Sequence, residues 1–433
     1  MPSAIFSLSG DIVDDFTELL GSEDLFNLRL SSRFLRNQSH GTFVRRYFNR
    51  RVHLLTQRSL DCLLEIGSND TFRREIRTIV FDRRTITDSL SDVLSDVLHF
   101  NTRYAAISHH FAESQFLYET GTITDYLRRI LVNMTECRSI SIDDFSGHPW
   151  GRASLERATG YRAVCFWADL AEPRRNLYDF IAFRSVMDAM SLSSARITAF
   201  NVSPTFPSRA LLFHGEDESE QRIDNSTWAT ALTALDFRMF MASPTFHVEH
   251  ITLFANRFAN LKYLSLASIP WGLGMHGGGY EYGIQTQLRN LDSLSRSLRL
   301  PQLRSLTLER FVCMPESLLE LLYAHRDTLT ELSLYIVGIS TQTGGSWSSL
   351  LVMVRDRLDI TRLRLRYCSV AHPINHAPDY YDSNSVYYES ESGRSHIVEV
   401  EINGPGSLNR LISGLKELGS LREYPDHRLM AIR

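Results

Sequence analysis

The feature that most constrains the fold is a leucine pattern that returns in the second half of the chain. Four segments have the spacing L-x-x-L-x-L, with isoleucine in the first place of the last copy. The central residues of the four copies, which are 42, 26 and 31 residues apart, are Leu264, Leu306, Leu332 and Leu363. Alternation at the end of each copy predicts a strand with one buried face. The recurrence itself predicts a repeat architecture.

Strands and helices are predicted to alternate before these copies as well. Apolar residues at helical spacing precede β-branched runs at residues 76–81, 139–142 and 196–200. One strand and one helix cannot bury their apolar sides alone, whereas stacked copies share a continuous core and a parallel sheet. We therefore predict an α/β fold in which residues 51–433 form an irregular leucine-rich-repeat-like solenoid with a curved parallel sheet. Insertions are predicted at residues 215–220, 271–283 and 372–394.

The first 50 residues have a different pattern, which predicts a module of three short helices. Ile12 and Phe16 belong to a first apolar helix face, and Gly21 is suited to end that helix. A second apolar segment follows, and Ser32 restarts the chain into a third helix. A unit of this size buries too little surface among its own side chains. Part of its apolar surface should therefore contact the repeat body or another chain.

This N-terminal sequence resembles the F-box family. The resemblance rests on Leu8-Ser9-Gly10-Asp11-Ile12-Val13, Phe16, Leu19-Leu20, Glu23-Asp24-Leu25, Leu28-Arg29-Leu30 and Ser32-Arg33-Phe34. The continuation from Phe43 to Phe81 is similar to the region that follows the F-box in F-box proteins common in filamentous fungi. Those proteins continue into degenerate leucine-rich repeats. The family usually has Leu-Pro where this chain has Leu8-Ser9.

The resemblance implies a substrate-recognition adaptor that binds a Skp-type adaptor and, through it, the cullin of a ubiquitin ligase. The residues that match the family's adaptor-binding face are Leu8, Ile12, Val13, Phe16, Leu25, Leu28 and Phe34. The repeat body would hold a protein client whose identity the sequence does not give. The alternative is a scaffold outside the ligase whose N-terminal helices only cap the solenoid. An F-box should expose Ile12, Val13, Phe16 and Leu25, whereas a cap should bury them against the body.

A candidate client-binding surface follows from the same leucine pattern. Residues between the core leucines of a strand point to the opposite face of the sheet. The candidates on that face are Tyr263, Ser265, Thr307, Glu331, Arg362, Arg364 and Arg366. The three arginines suit an acidic or phosphorylated client. However, Glu399 and Glu401 alternate in the next predicted strand, so an internal ladder of opposite charges is the favoured interpretation.

Patterns that would indicate an enzyme are weak. Residues 272–277 fit G-x-G-x-x-G, but Asp292, at the distance of a ribose-binding acid, lies in a helical leucine pattern. Cys368, His372 and His376 are regularly spaced, but a proline after the first histidine interrupts any helix that would bring them together. Neither G-x-S-x-G nor a P-loop motif is present. We predict no catalytic residue, no metal and no cofactor.

Charge and cysteine content favour a cytoplasmic or nuclear protein. The formal net charge of −4 does not indicate binding to nucleic acid or to an anionic membrane. No run of 18 apolar residues exists, and the first residues lack the basic region of a secretory signal. The five cysteines are far apart, which is typical of reduced thiols.

Eight arginines lie between Leu25 and Leu60, an interval without any acidic residue. Such a basic segment could contact nucleic acid or an acidic partner surface. A solvated face is the favoured interpretation, because no nucleic-acid-binding motif accompanies the arginines.

Overall fold

The computed structural model describes residues 10–82, 109, 112–113, 115–143, 172–202, 223, 226–239, 248–268, 279–340, 347–371, 397–403 and 412. The chain divides into two compact units, Met1–Ile197 and Thr198–Arg433. Both contain parallel strands that alternate with helices, so the predicted α/β class is confirmed. The predicted insertions at residues 215–220 and 372–394 lie outside the described residues.

In the first unit, four helices precede the first of three strands, and the other four helices lie between or after the strands. The helices are α1 (Gly10–Leu19), α2 (Ser22–Ser31), α3 (Arg33–Gln38), α4 (His40–Phe48), α5 (Gln57–Ser68), α6 (Asp70–Arg73), α7 (Thr122–Asn133) and α8 (Glu172–Ser191). The strands are β1 (Arg50–Leu54), β2 (Thr78–Asp82) and β3 (Ser139–Asp143). They pair in parallel in chain order. Helices α5, α7 and α8 pack on one another in the same order.

The N-terminal segment forms four helices rather than the predicted three. The Ser39 hydroxyl donates to the Leu35 carbonyl at 2.6 Å, and its N–H donates to the same carbonyl at 2.9 Å. These bonds end α3, and the Ser39 carbonyl then accepts the Phe43 N–H as α4 begins. One residue, Asn49, separates α4 from β1. The predicted module boundary at residue 50 therefore falls inside the first unit, without a linker.

In the second unit, the helices are α9 (Thr227–Ala231), α10 (Val248–Asn256), α11 (Gly279–Ser297), α12 (Pro315–Tyr323) and α13 (Trp347–Arg357). The strands are β4 (Ala199–Val202), β5 (Ala234–Met239), β6 (Tyr263–Ser268), β7 (Ser305–Glu309), β8 (Val312–Cys313), β9 (Glu331–Tyr335), β10 (Gly338–Ser340), β11 (Arg362–Ala371) and β12 (Ile397–Asn403). Strands β4, β5, β6, β7, β9 and β11 pair in parallel in that order. The short strands β8 and β10 pair in parallel beside the end of β11. Each leucine copy leads into a strand, as predicted.

One backbone pattern recurs at the start of these strands. The N–H groups of Lys262 and Tyr263 both donate to the Thr233 carbonyl, at 2.8 and 2.9 Å. In the same way, Arg304 and Ser305 both donate to the Lys262 carbonyl, at 2.8 and 2.9 Å. The next strand repeats the arrangement with the Arg304 carbonyl as acceptor. Successive strands therefore begin in a constant register, which keeps equivalent side chains directly opposite each other.

That register gives the second unit two continuous apolar rows. Each row takes one buried side chain from each of the six parallel strands. The rows are Phe200, Leu235, Leu264, Leu306, Leu332 and Leu363, and Val202, Phe237, Leu266, Leu308, Leu334 and Leu365. Full burial of one such side chain stabilises the fold by about 1.5–3 kcal/mol. These rows are the physical basis of the leucine periodicity.

Two elements differ from the prediction. The strand expected near residues 397–402 is present, but it pairs antiparallel with β11, so the sheet is not parallel throughout. Helix α11 begins at Gly279 and includes Gly283, although residues up to 283 were predicted to belong to an insertion. The helix buries Leu291 and Leu294 and packs on α10 and α12. This burial outweighs the cost of about 1 kcal/mol that a glycine adds inside a helix.

Candidate protein-interaction surfaces

Helix α4 holds the end of α1 through two arginines. The Arg46 guanidinium donates to the carbonyls of Leu20 and Glu18, at 2.6 and 3.0 Å. These carbonyls lie at the C-terminal end of α1, where the backbone has no further helical partner and a cation is favourable. Arg45 forms an ion pair with the Glu18 carboxylate at 3.0 Å. Polar contacts thus fix α1 at its last turn.

An aromatic cluster fixes α2 and continues beyond the helical module. The Phe26 ring lies 5.7 Å from the Phe43 ring and 5.0 Å from the Tyr47 ring, centroid to centroid. Phe48, at the end of α4, stacks on Phe72 of α6 with centroids 4.2 Å apart. Aromatic pairs at such separations contribute about 0.5–1.5 kcal/mol each beyond their area burial. The cluster therefore ties α2 to α4, and α4 to the helix before β2.

Helix α1 exposes an apolar stripe. Ile12, Phe16 and Leu19 are 52%, 48% and 86% exposed. Their spacing of four and three residues places them on one helix face. Val13 and Thr17, on another face of the same helix, are buried. We refer to Ile12, Phe16 and Leu19 as the α1 stripe.

Helix α2 exposes a second, smaller apolar group. Phe26 and Leu30 are 44% and 83% exposed and are four residues apart, so they also share a helix face. Phe26 presents one side to solvent while it contacts the rings of α4. We refer to Phe26 and Leu30 as the α2 pair. Large apolar side chains exposed in groups are typical of surfaces that bind other proteins.

Five of the predicted adaptor-binding residues are exposed, half-buried or undescribed. Ile12 and Phe16 belong to the α1 stripe. Leu28 and Phe34 are half-buried on α2 and α3. Leu8 lies outside the described residues. The structure thus brings Ile12 and Phe16 together on one surface and leaves Leu28 and Phe34 only partly accessible.

The other two predicted adaptor-binding residues, Val13 and Leu25, are buried in the first unit. In this conformation they cannot contact a partner, because the packing of the helical module encloses them. Leu19 and the α2 pair are exposed instead, although the resemblance did not assign these three residues to the adaptor-binding face. The signal for Leu19 was present, since it continues the spacing of Ile12 and Phe16.

The outer face of the second unit carries the predicted client-binding residues in cross-strand rows. Direct pairing across β6, β7, β9 and β11 gives two such rows, Tyr263, Ser305, Glu331 and Arg362, and Ser265, Thr307, Ser333 and Arg364. Arg366 follows on β11, opposite Tyr335 of β9. Neighbouring strands are about 4.8 Å apart, so each row is a continuous polar surface. The predicted residues therefore share one face, on which Tyr263 and Arg366 are exposed and the other five are half-buried.

Two of the three arginines share a carboxylate of β12. Arg362 donates to Glu401 Oε1 from Nη2 at 2.8 Å and from Nε at 3.0 Å, and Arg364 Nη2 donates to the same oxygen at 3.2 Å. These hydrogen bonds hold the pKa of the Glu401 carboxyl below its ordinary value and raise the pKa of Arg364. Glu399 pairs in register with Arg366. The predicted charge ladder is confirmed. The glutamates of β12 therefore offset part of the positive charge of the β11 arginines at this end of the face.

Three buried titratable side chains of the second unit, His325, Cys313 and Cys368, are hydrogen-bonded within the fold. His325 accepts the Leu300 N–H through Nε2 at 3.2 Å, and its Nδ1 lies 2.9 Å from the Leu321 carbonyl. Burial lowers the pKa of this imidazole. Burial also raises the pKa of the Cys313 thiol to about 12 and that of Cys368 to about 11. These groups are suited to packing rather than to nucleophilic or acid–base chemistry.

The described residues give no support to the weak cofactor and metal patterns of the sequence. Residues 272–277, His372 and His376 lie outside the described residues. Asp292 lies within α11, where its carboxylate accepts hydrogen bonds from Arg296 and Ser317. Among the residues that the structure describes, no three metal-binding side chains come together, and no helix is long and apolar enough to cross a membrane.

Comparison of the sequence with models of known protein families gives no match, and comparison with curated proteins gives none at a significant level either.

Proposed function

We propose that this protein is an F-box adaptor, the substrate-recognition subunit of a Skp–cullin–F-box ubiquitin ligase. In this proposal, α1 to α4 dock onto the Skp adaptor, and the strand–helix repeats form a leucine-rich-repeat-like solenoid that holds a client. The observation that carries the proposal is the α1 stripe, in which three large apolar side chains lie on one face of a helix and are about half exposed or more.

The α1 stripe has the spacing of a helix that binds in a groove. Such helices use apolar anchors at positions i, i+4 and i+7, which are the relative positions of Ile12, Phe16 and Leu19. Exposure of these side chains gives the isolated chain no stability, because apolar surface in water is unfavourable. Burial of the stripe in an apolar groove would recover that free energy. The α2 pair extends the apolar area available to the same partner.

The proposed function requires no catalytic group in this chain. One surface binds the ligase core and another binds the client, so the client's lysines are held at a high effective concentration near the transferring subunit. The outer face of the second unit is the proposed client surface, and Tyr263 and Arg366 are its exposed side chains. Large aromatic and arginine side chains are the residues that most often dominate protein interfaces.

The alternative function is a scaffold outside the ligase, in which the N-terminal helices cap the first strands. Burial of Val13 and Leu25 favours this alternative, as does the stacking of Phe48 on Phe72. The two functions differ over the α1 stripe, which a cap does not use.

Binding of the purified full-length chain to a purified Skp adaptor tests the proposal. Phe16→Asp should abolish binding, because a charge would enter the apolar groove. The matched control is Leu253→Asp, which replaces another exposed leucine, 62% accessible and located on α10. We expect this control to bind as the wild type does. A folded wild type that does not bind the adaptor would overturn the ligase function and favour the scaffold.

A further inference from the structure

Three arginines gather where α2 turns into α3. Arg29 lies in the last turn of α2, and Arg33 and Arg36 lie one turn apart on α3. Arg33 and Arg36 are exposed, and Arg29 is half-buried. We refer to these three residues as the basic corner. The proposed docking contacts are apolar and give these arginines no role.

Arg29 is held in place by the fold. Its Nη1 donates to the Arg36 carbonyl at 2.9 Å and to the Ser39 hydroxyl at 3.3 Å. Its guanidinium carbon lies 4.0 Å from the centroid of the Phe43 ring, which is a cation–π contact. Burial and the charge of Arg36 both lower the pKa of Arg29. The fold therefore fixes one cation close to another of the same sign.

The stretch of sequence that carries this corner supplies no counter-charge of its own. No acidic residue occurs between Leu25 and Leu60. Among the described residues, Arg33 and Arg36 form no ion pair, whereas Arg45 is paired with Glu18. Like charges held together without an acid are unfavourable, so a corner of this kind is better stabilised when a partner provides carboxylates.

The basic corner lies next to an exposed apolar residue in the sequence. Leu30, the more exposed member of the α2 pair, follows Arg29 directly and precedes Arg33 by three residues. Apolar contacts bordered by charges of one sign fit a partner groove that is apolar inside and oppositely charged at its rim.

We propose that the basic corner binds an acidic rim beside the apolar groove of the adaptor that receives the helical module. This inference rests on the proposed function and adds the chemistry of the partner surface to it. The corner would mainly raise the association rate, because complementary charge accelerates association and fixes the orientation of docking. It would also discriminate against partners whose groove has a neutral or basic rim.

An acidic protein fits this surface better than a nucleic acid does. Acidic residues precede the corner in the module, among them Asp14 and Asp15 on α1 and Glu23 and Asp24 in the first turn of α2. A polyanion lying along the module would be repelled by these carboxylates, whereas a folded protein can place its acids at the corner alone. The α2 pair also offers apolar contact that phosphates do not use.

The test compares the affinity of the full-length chain for the purified Skp adaptor at two salt concentrations. The variant is Arg33→Glu with Arg36→Glu, and the control is Arg128→Glu with Arg129→Glu on α7, which changes the net charge equally. At about 0.1 M NaCl we expect the corner variant to bind at least about tenfold more weakly than wild type. At about 1 M NaCl, where the Debye length is about 3 Å, the difference should fall below about threefold. The control should stay close to wild type at both.

The outcomes separate this inference from the function on which it rests. A wild type that binds the adaptor with the same affinity as the corner variant overturns the inference alone. A wild type that does not bind overturns the proposed function, and the inference with it. A loss of adaptor affinity that is equal at both salt concentrations indicates misfolding of the glutamate variant. The variant Arg33→Gln with Arg36→Gln then decides, because these neutral residues should still cause a smaller loss of affinity that depends on salt. Loss of binding to a labelled RNA or DNA oligonucleotide, with adaptor affinity unchanged, would assign the corner to nucleic acid instead.

Discussion

His53 Nδ1 lies 3.1 Å from both the carbonyl oxygen and the hydroxyl oxygen of Ser59. This contact joins the end of β1 to the first turn of α5. A carbonyl oxygen only accepts, so Nδ1 carries the proton and donates it. Burial, with a smaller contribution from the charge of Arg51, lowers the pKa of the imidazole to about 3. His53 is therefore neutral throughout the physiological range.

The depressed pKa of His53 predicts a loss of stability in mild acid. The unfolded chain takes up a proton near pH 6.5, whereas the folded chain does so only near pH 3. The unfolded state is thus favoured as the pH falls through this window, by at most about 1.4 kcal/mol per pH unit for one group. We expect His53→Gln, which can still hydrogen-bond, to reduce the slope of unfolding free energy against pH. Urea unfolding of the wild type and the variant at pH 7 and pH 5 measures this slope. Equal slopes in the two proteins would contradict a depressed pKa of His53.

A second prediction concerns the backbone after β7. Arg310 and Ile336 have φ angles of 59° and 54°, at equivalent positions after β7 and β9. A residue other than glycine is destabilised by about 1–2 kcal/mol in the left-handed region. Substitution by glycine removes this strain, but glycine loses more conformational entropy on folding, which offsets part of the gain. We expect Arg310→Gly to raise the free energy of unfolding by about 0.5–1 kcal/mol. Arg326→Gly is the control and should lower it, because Arg326 has a negative φ. A stability loss in Arg310→Gly equal to that of the control would rule out strain at Arg310.

The two faces of the sheet in the second unit should respond differently to truncation. Leu306 lies fully buried at the centre of one apolar row, whereas Tyr263 is exposed on the outer face of the adjacent strand. We expect Leu306→Ala to lower the free energy of unfolding by about 2–5 kcal/mol. Tyr263→Ala should change it by less than about 1 kcal/mol. Denaturant unfolding of both variants measures the contrast, and comparable losses would mean that the outer face contributes to the core.

Periodicity predicted the parts of the fold that burial decides. Alternating leucines around Leu306 indicated a strand because only every second side chain can face the helices. The antiparallel direction of β12 was missed, since the same alternation serves both directions of pairing. The pairing of the β11 arginines with the β12 glutamates was still predicted from charge.

The exposed apolar surface of the N-terminal module was predicted less well than the sheet, because helical spacing alone does not say which face meets the rest of the fold. Leu19 and Leu25 are both apolar residues of the N-terminal module, yet one is exposed and the other is buried. Their fates depend on the positions of α3 and α4, and α4 was not predicted as a helix. The distinction between exposed and buried apolar residues of the module therefore required the tertiary structure.

A last prediction uses exposed and buried residues of the module to distinguish effects on adaptor binding from effects on stability. Leu19 and Leu30 are 86% and 83% exposed, so Leu19→Ala and Leu30→Ala should change the free energy of unfolding by less than about 0.5 kcal/mol. Val13→Ala and Leu25→Ala remove buried side chains and should cost about 1 kcal/mol and about 2–5 kcal/mol, respectively. Adaptor binding should show the opposite order, with the larger loss of affinity in the Leu19 and Leu30 variants, because of the four side chains only these two are exposed and able to enter a partner groove. Thermal unfolding and adaptor affinity, measured on the same four proteins, test both orders at once. Weaker adaptor binding by Val13→Ala and Leu25→Ala than by the exposed-site variants would mean that the module rearranges before it docks.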